Sequence, residues 1–201
     1  MKRGTLILLI VVVGAGLLVL LVASILHHGL SARATPTPLE AMMARGARHL
    51  AISADARGLT NPLPASAENL LDARIHFADH CAICHGNDGS GDTMMGHGLY
   101  PKPPDLRLPE TQKLTDGELF WVIENGVRFT GMPAFSSPGA QNDSWKLVLM
   151  LRHLPQLTTE ERTEMERYNP KGPDDRQEEQ QEDDFLNGAT PEPKPESHHQ
   201  H

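Results

Sequence analysis

The sequence predicts an all-α fold: one small helical domain behind a single membrane-spanning helix. Three observations carry this. Residues 5–26, TLILLIVVVGAGLLVLLVASIL, are uncharged throughout, and at about 1.5 Å per residue they match the roughly 30 Å hydrocarbon core of a bilayer. Over residues 66–158, apolar side chains recur at helical spacing behind N-capping residues, and no stretch alternates as a strand does. Finally, the two cysteines of the chain, Cys81 and Cys84, stand three apart with His85 directly behind, in HCAICHGNDGSG (80–91). Residues i and i+3 share one face of a helical turn.

The elements follow in chain order. Lys2 and Arg3 precede the apolar stretch, so the positive-inside rule keeps the amino terminus cytoplasmic and sends the rest of the chain outward. Residues 1–34 are therefore expected to be a membrane anchor. A cleaved signal peptide is the competing reading, since Ala32-x-Ala34 offers a cleavage site, but the apolar run exceeds the usual h-region of about 7–15 residues. Both readings export everything after residue 34. Residues 35–65 read as a spacer opened by ATPTP (34–38) and closed by NPLP (61–64), with one short amphipathic helix over 39–51 that Gly46 weakens. Ser66 is the expected N-cap of a helix leading into the cysteines, along Leu70, Leu71, Ile75, Phe77 and Ala78. Thr115 or Asp116 starts a second helix that Gly126 ends, and Ser144 caps a third that Pro155 halts.

Residues 66–158 thus form the folded domain, and seven of the nine aromatic residues lie in it. Residues 159–201 read as an acidic disordered tail. From residue 161 on, 12 Asp and Glu face 5 Lys and Arg, with too few apolar residues to offset the entropy of ordering. The net charge of −8 argues against nucleic acid as a partner. The terminal SHHQH (197–201) is expected to be solvated rather than a metal site.

Three chemistries use C-x-x-C. A redox dithiol wants an alternating strand and helix context, which is missing here. A zinc cage wants two further ligands. His97 stands at a finger-like distance from Cys84, but Tyr100, Pro101, Lys102 and Pro103 follow where the next histidine belongs, and there is no second C-x-x-C. Covalent haem c wants C-x-x-C-H: two thiols to attach the porphyrin and an adjacent histidine for the iron. Cys81, Cys84 and His85 meet it, and export agrees with it, because haem c is attached outside the bacterial cytoplasm. One motif implies one haem.

A second axial ligand is expected in VRFTGMPAF (127–135). Met132 supplies a soft thioether, Gly131 permits close backbone approach and Pro133 stiffens the loop. His/Met ligation raises the haem potential. Met94, Met95 and His97 in GDTMMGHG are the competitors. YPKPPDL (100–106) is suited to offer a carbonyl, from Pro103 or Pro104, to the other ring nitrogen of His85. Trp121 and Arg128 are candidate partners of the haem propionates.

With these residues assembled, the chain resembles a class I c-type cytochrome of the single-haem, membrane-tethered bacterial type. The resemblance covers roughly 66–158 and rests on FADHCAICHG, NDGSG, PPDL, LFWVIENGVRFTGMPAF and a closing helix opened by Trp145. It implies a helical domain around one haem, with His85 and Met132 as the iron ligands. Ala73 and Met150 stand where the family often has glycine and tyrosine on the first and last helices, a change of packing rather than of haem chemistry.

The expected function is electron transfer on the outer, periplasmic face of a bacterial inner membrane. The chain would act as a carrier or as a subunit of a respiratory complex, between a dehydrogenase donor and an oxidase acceptor, with the spacer letting the domain swing between them. A haem enzyme or gas sensor with a displaceable distal methionine is the alternative. The lack of a second C-x-x-C-H weighs against a two-haem peroxidase.

Overall fold

The computed structural model describes residues 3–29 and 31–172. Among them every regular element is helical. Helix α1 (Arg3–His28) is one uninterrupted apolar helix, and its segment Arg3–Ser24 is long and apolar enough to cross a membrane. After it come α2 (Pro38–Ala51), α3 (Ala54–Arg57), α4 (Ala67–His80), α5 (Ala82–His85), α6 (Met94–His97), α7 (Pro109–Gln112), α8 (Asp116–Asn125), α9 (Gln141–His153) and α10 (Thr159–Met165). Short 3-10 turns at Leu154–Gln156 and Glu166–Tyr168 follow α9 and α10.

Local chemistry sets the boundaries. Ser66 caps α4 by accepting from the Asn69 N–H. Thr115 caps α8 in a reciprocal box with Glu118, and Gly126, at φ +64°, ends it. The third expected helix begins earlier than Ser144. It opens at Gln141 after the turn at Pro138–Ala140, and Ser144 is instead buried inside it, hydrogen-bonded to Glu124 of α8.

The core lies where α4 packs on α9, which α8 also contacts. Phe77, Ala73, Val148 and Met150 are all but fully buried there, so Ala73 and Met150 both belong to the crossing. The Phe120 and Trp145 rings stack at 4.1 Å. Arg152 fastens the end of α9 to the α7–α8 connection, donating to Asp116 Oδ1 and to the carbonyls of Gln112 and Leu114.

Two boundaries move outward from those the sequence suggested. The stretch 159–168, assigned to a disordered tail, is folded against α4. Thr158 and Glu161 form a second capping box, Glu161 pairs with Arg74 at 2.7 Å and with His153, and Met165 is fully buried in the core. The rest of the expected tail, from 173, lies outside the described residues. The spacer 35–65 is likewise not free. Ile52 is buried, Thr115 Oγ1 donates to the Arg57 carbonyl, and Asn61 Nδ2 donates to the Trp145 carbonyl at 2.9 Å. Gly117 makes this approach possible, because a Cβ there would stand 1.9 Å from the Ala56 carbonyl oxygen. A domain swinging on the full spacer is excluded by these contacts.

Two substitutions measure the docked segments. Met165→Ala should cost about 2–5 kcal/mol, as truncation of a fully buried side chain does. Gly117→Ala should cost about 1–3 kcal/mol through overpacking against backbone. Urea unfolding of the haem-loaded protein reads both. A midpoint unchanged by Met165→Ala would return 159–168 to the tail.

Candidate haem site

The site begins at a joint. Helix α4 stops at His80, and Cys81 joins it to the single turn α5 while keeping the hydrogen bonds continuous. Its N–H donates to the Phe77 carbonyl at 2.8 Å, and its own carbonyl accepts from the N–H groups of Cys84 and His85. Both cysteines are free thiols on this turn. Burial, and then the nearness of Cys84, pushes the Cys81 thiol up to about 12, and burial raises Cys84 as well. A catalytic dithiol needs a lowered thiol pKa. These two are raised, which argues against dithiol chemistry. Among the described residues no group of three or more His, Cys, Asp or Glu side chains is arranged to hold a metal ion, so the zinc cage gains no support either.

Burial lowers the pKa of His85, so its ring is neutral at pH 7, and the Pro104 carbonyl beside it works the other way. That carbonyl is not in good hydrogen-bonding geometry: His85 Nδ1 is buried and, among the described residues, has no hydrogen-bond partner. The chain turns back to bring Pro104 there. Gly86, Gly89 and Gly91 all take φ between +72° and +76°, a region L side chains disfavour. The Gly91 N–H returns to the His85 carbonyl at 2.8 Å, and the Leu106 N–H reaches the Gly89 carbonyl. Gly91 also faces Pro103 so closely that a Cβ would lie 2.6 Å from its carbonyl oxygen. Arg107 bridges Asp88 and Asp105 across the outside of the fold-back.

Thr93 belongs to the site although the sequence reading passed over it. Its hydroxyl lies against the Ile83 and Cys84 carbonyls and accepts from the Gly96 N–H at 2.8 Å, tying α6 to the cysteine turn. The signal was available as an N-cap threonine ahead of MMGH.

The loop of Met132 is fastened to α8. Its carbonyl accepts from the Val127 N–H, its own N–H donates to Thr130 Oγ1, and the Phe135 N–H returns to the Ile123 carbonyl. Gly131 faces the Leu99 side chain, which joins this loop to the one carrying α6. Met132 is half-buried. The competing ligands are turned outward: Met94 is 94% exposed and Met95 50%, while His97 pairs with Asp92 at 2.7 Å on the surface. Arg128 stands over the exposed Phe129 ring, and Trp121 is half-buried on α8. Among the described contacts neither is tied to the turn of Cys81–His85.

Two neutral thiols on one turn, a neutral imidazole with a buried unpartnered nitrogen, and a half-buried thioether are the donor set haem c uses. The residues present fit the group. The family model for cytochrome c oxidase, cbb3-type, subunit III matches residues 68–149. Residues 68–149 are a c-type cytochrome domain. A chain of the Kuenenia stuttgartiensis reducing HAO-like protein complex is similar in structure, with 22% sequence identity and a TM-score of 0.44 over 51% of this chain and 49% of that one. This chain therefore matches about half the length of that one. A search of curated proteins gives no match.

The cytochrome domain depends on the Gly91 approach to hold Pro104 near His85. Gly91→Ala should lower stability by about 1–3 kcal/mol, read as an earlier urea midpoint for the haem-loaded domain. An unchanged midpoint would mean that the 101–104 segment yields without cost.

Proposed function

We propose that the chain is a membrane-anchored electron carrier, or an electron-relaying subunit of a respiratory complex, with one haem c held by Cys81, Cys84, His85 and Met132. The observation that carries this is the placement of Cys81, Cys84 and His85 on one turn, with the Nδ1 of His85 buried and without a hydrogen-bond partner among the described residues. When bound, haem c supplies a ferrous/ferric couple, and a soft thioether beside an imidazole favours the ferrous form. The residues of the chain fix the imidazole orientation, present the thiols on one face and hold Met132 by backbone hydrogen bonds. If His85 and Met132 both held the group, no open position would be left for a substrate, which favours a carrier over an enzyme.

In this reading α1 holds the domain at the outer face of a bacterial inner membrane, with Lys2 and Arg3 on the cytoplasmic side. Redox proteins are the partners, a dehydrogenase as donor or an oxidase as acceptor. The matched family's name, an oxidase subunit, supports the second.

Optical spectra in both redox states, with potentiometry, test the assignment. Cys81→Ala with Cys84→Ala should abolish covalent haem. Met132→His should keep a six-coordinate spectrum, remove the weak sulfur-to-iron charge-transfer band and lower the midpoint potential. Met94→Leu and Met95→Leu should leave band and potential as they are. Loss of the band in Met95→Leu would move the ligand to the α6 loop.

A further inference from the structure

Helix α2 is seated with its apolar side outward. Leu39, Met42, Met43, Gly46 and Leu50 fall at i, i+3, i+4, i+7 and i+11, one stripe of an amphipathic helix. A helix packed on a domain normally turns such a stripe inward. Here Leu39 is 62% exposed, Met42 58%, Met43 64% and Leu50 85%. The opposite side, at Ala41 and Arg48, is the half-buried one, and burial lowers the Arg48 pKa. Polar contacts hold this orientation: Glu40 accepts from the Tyr100 hydroxyl, His49 lies 3.3 Å from the buried Glu118, and Arg57 donates to the His49 carbonyl. Nothing in the described chain covers the stripe.

The surroundings say what does. Helix α1 ends at His28 and α2 begins at Pro38, so residues 29–37 place the start of α2 within about 30 Å of the end of the span even at full extension. Two residues beyond Tyr100, which bonds Glu40 of α2, Lys102 lines an open cavity of about 390 Å³ together with Arg33, Gly98, the exposed Met94 and His97, the last paired with Asp92. Arg45 extends the cationic side along the helix. The chain is acidic overall, yet it gathers cationic and apolar side chains on the face nearest its anchor. Exposed apolar stripe, Arg45 at its edge and the nearby pocket with Arg33 and Lys102 together are the profile of a helix lying in a bilayer interface that contains anionic headgroups.

We propose that α2 lies in the interface of the membrane that α1 spans, with its Leu39–Leu50 stripe among the acyl chains and the headgroup of an anionic phospholipid against Arg33 and Lys102. The cytochrome domain is then held against the bilayer in one orientation rather than suspended above it. The inference rests on α1 being a membrane span. It fixes which face of the domain is closed to redox partners: that of α2 and the α6 loop.

The test uses the full haem-loaded chain, one copy per lipid nanodisc, which removes a second copy as the cover. Discs of phosphatidylethanolamine and phosphatidylglycerol carry a phospholipid with a photoreactive diazirine in its acyl chain, and adducts are mapped by peptide mass spectrometry. Adducts are expected in α1 and in residues 39–50. In Met43→Glu/Leu50→Glu, those in 39–50 should be lost while those in α1 and the haem spectrum remain. Labelling in α1 alone would overturn the proposal and leave the span standing, whereas labelling in neither would overturn the span itself. Persistent labelling of 39–50 in the double variant would overturn the role of the stripe. Exchanging phosphatidylglycerol for phosphatidylcholine should reduce labelling of 39–50, and equal labelling would overturn the part assigned to the pocket.

Discussion

The fold-back of residues 86–106, which brings the Pro104 carbonyl near a His85 whose buried Nδ1 has no hydrogen-bond partner among the described residues, is the constraint around which the site is arranged. A neutral imidazole on a helical turn can rotate about its side-chain bonds, and a buried nitrogen without a fixed acceptor does not choose an orientation. Bringing a backbone carbonyl near that nitrogen requires residues 86–106 to leave the turn and come back to it. Three glycines at positive φ make the return, and the approach of Gly91 to Pro103 sets how near it comes. Thr93 then braces α6 against the Cys84 carbonyl. The fold-back is local in sequence, and for that reason the cysteine turn and its acceptor can be held together by so small a chain.

The thiols obey the same logic from the other side. Thiols that titrate near neutrality are suited to exchange chemistry, and a protein obtains them with positive charge or a helix N-terminus. Here Cys81 lies against the apolar core and its pKa climbs to about 12. A thiol whose pKa is raised is poorly suited to disulfide exchange but keeps its position on the turn.

What the sequence revealed was the chemistry carried by neighbouring residues. The Ser66 and Thr115 caps and the Gly126 stop depend on spacings of a few positions, and each is placed by the structure where its local pattern suggested. What stayed hidden depends on distant partners. The start of α9 was misplaced because Ser144, a good cap by type, is used across the domain by Glu124. Residues 159–168 looked like tail because their acidic composition masked a Thr158–Glu161 capping box and a single buried side chain, Met165. The docking of the spacer turned on Gly117, whose closeness to Ala56 no local pattern announces. Trp121 and Arg128 were chosen by residue type alone, and type alone does not fix where a side chain goes.

Both displaced boundaries point to one physical cause. A domain of under a hundred residues buries only a modest apolar core, and here α4, α8 and α9 supply most of it. The flanking segments add Ile52 at one end and Met165 at the other, each nearly inaccessible to solvent, and each is held by buried or half-buried polar contacts rather than by a broad apolar face. Helix α2 differs from both. It contributes polar contacts but no buried apolar side chain, so its attachment to the domain gains little from the hydrophobic effect, and its apolar stripe gains nothing until another phase covers it. A helix so placed is weakly bound to the domain alone and more strongly bound wherever an apolar surface lies alongside. Its own chain provides α1 as the route to such a surface, which makes the orientation of the cytochrome domain a property of chain and membrane together.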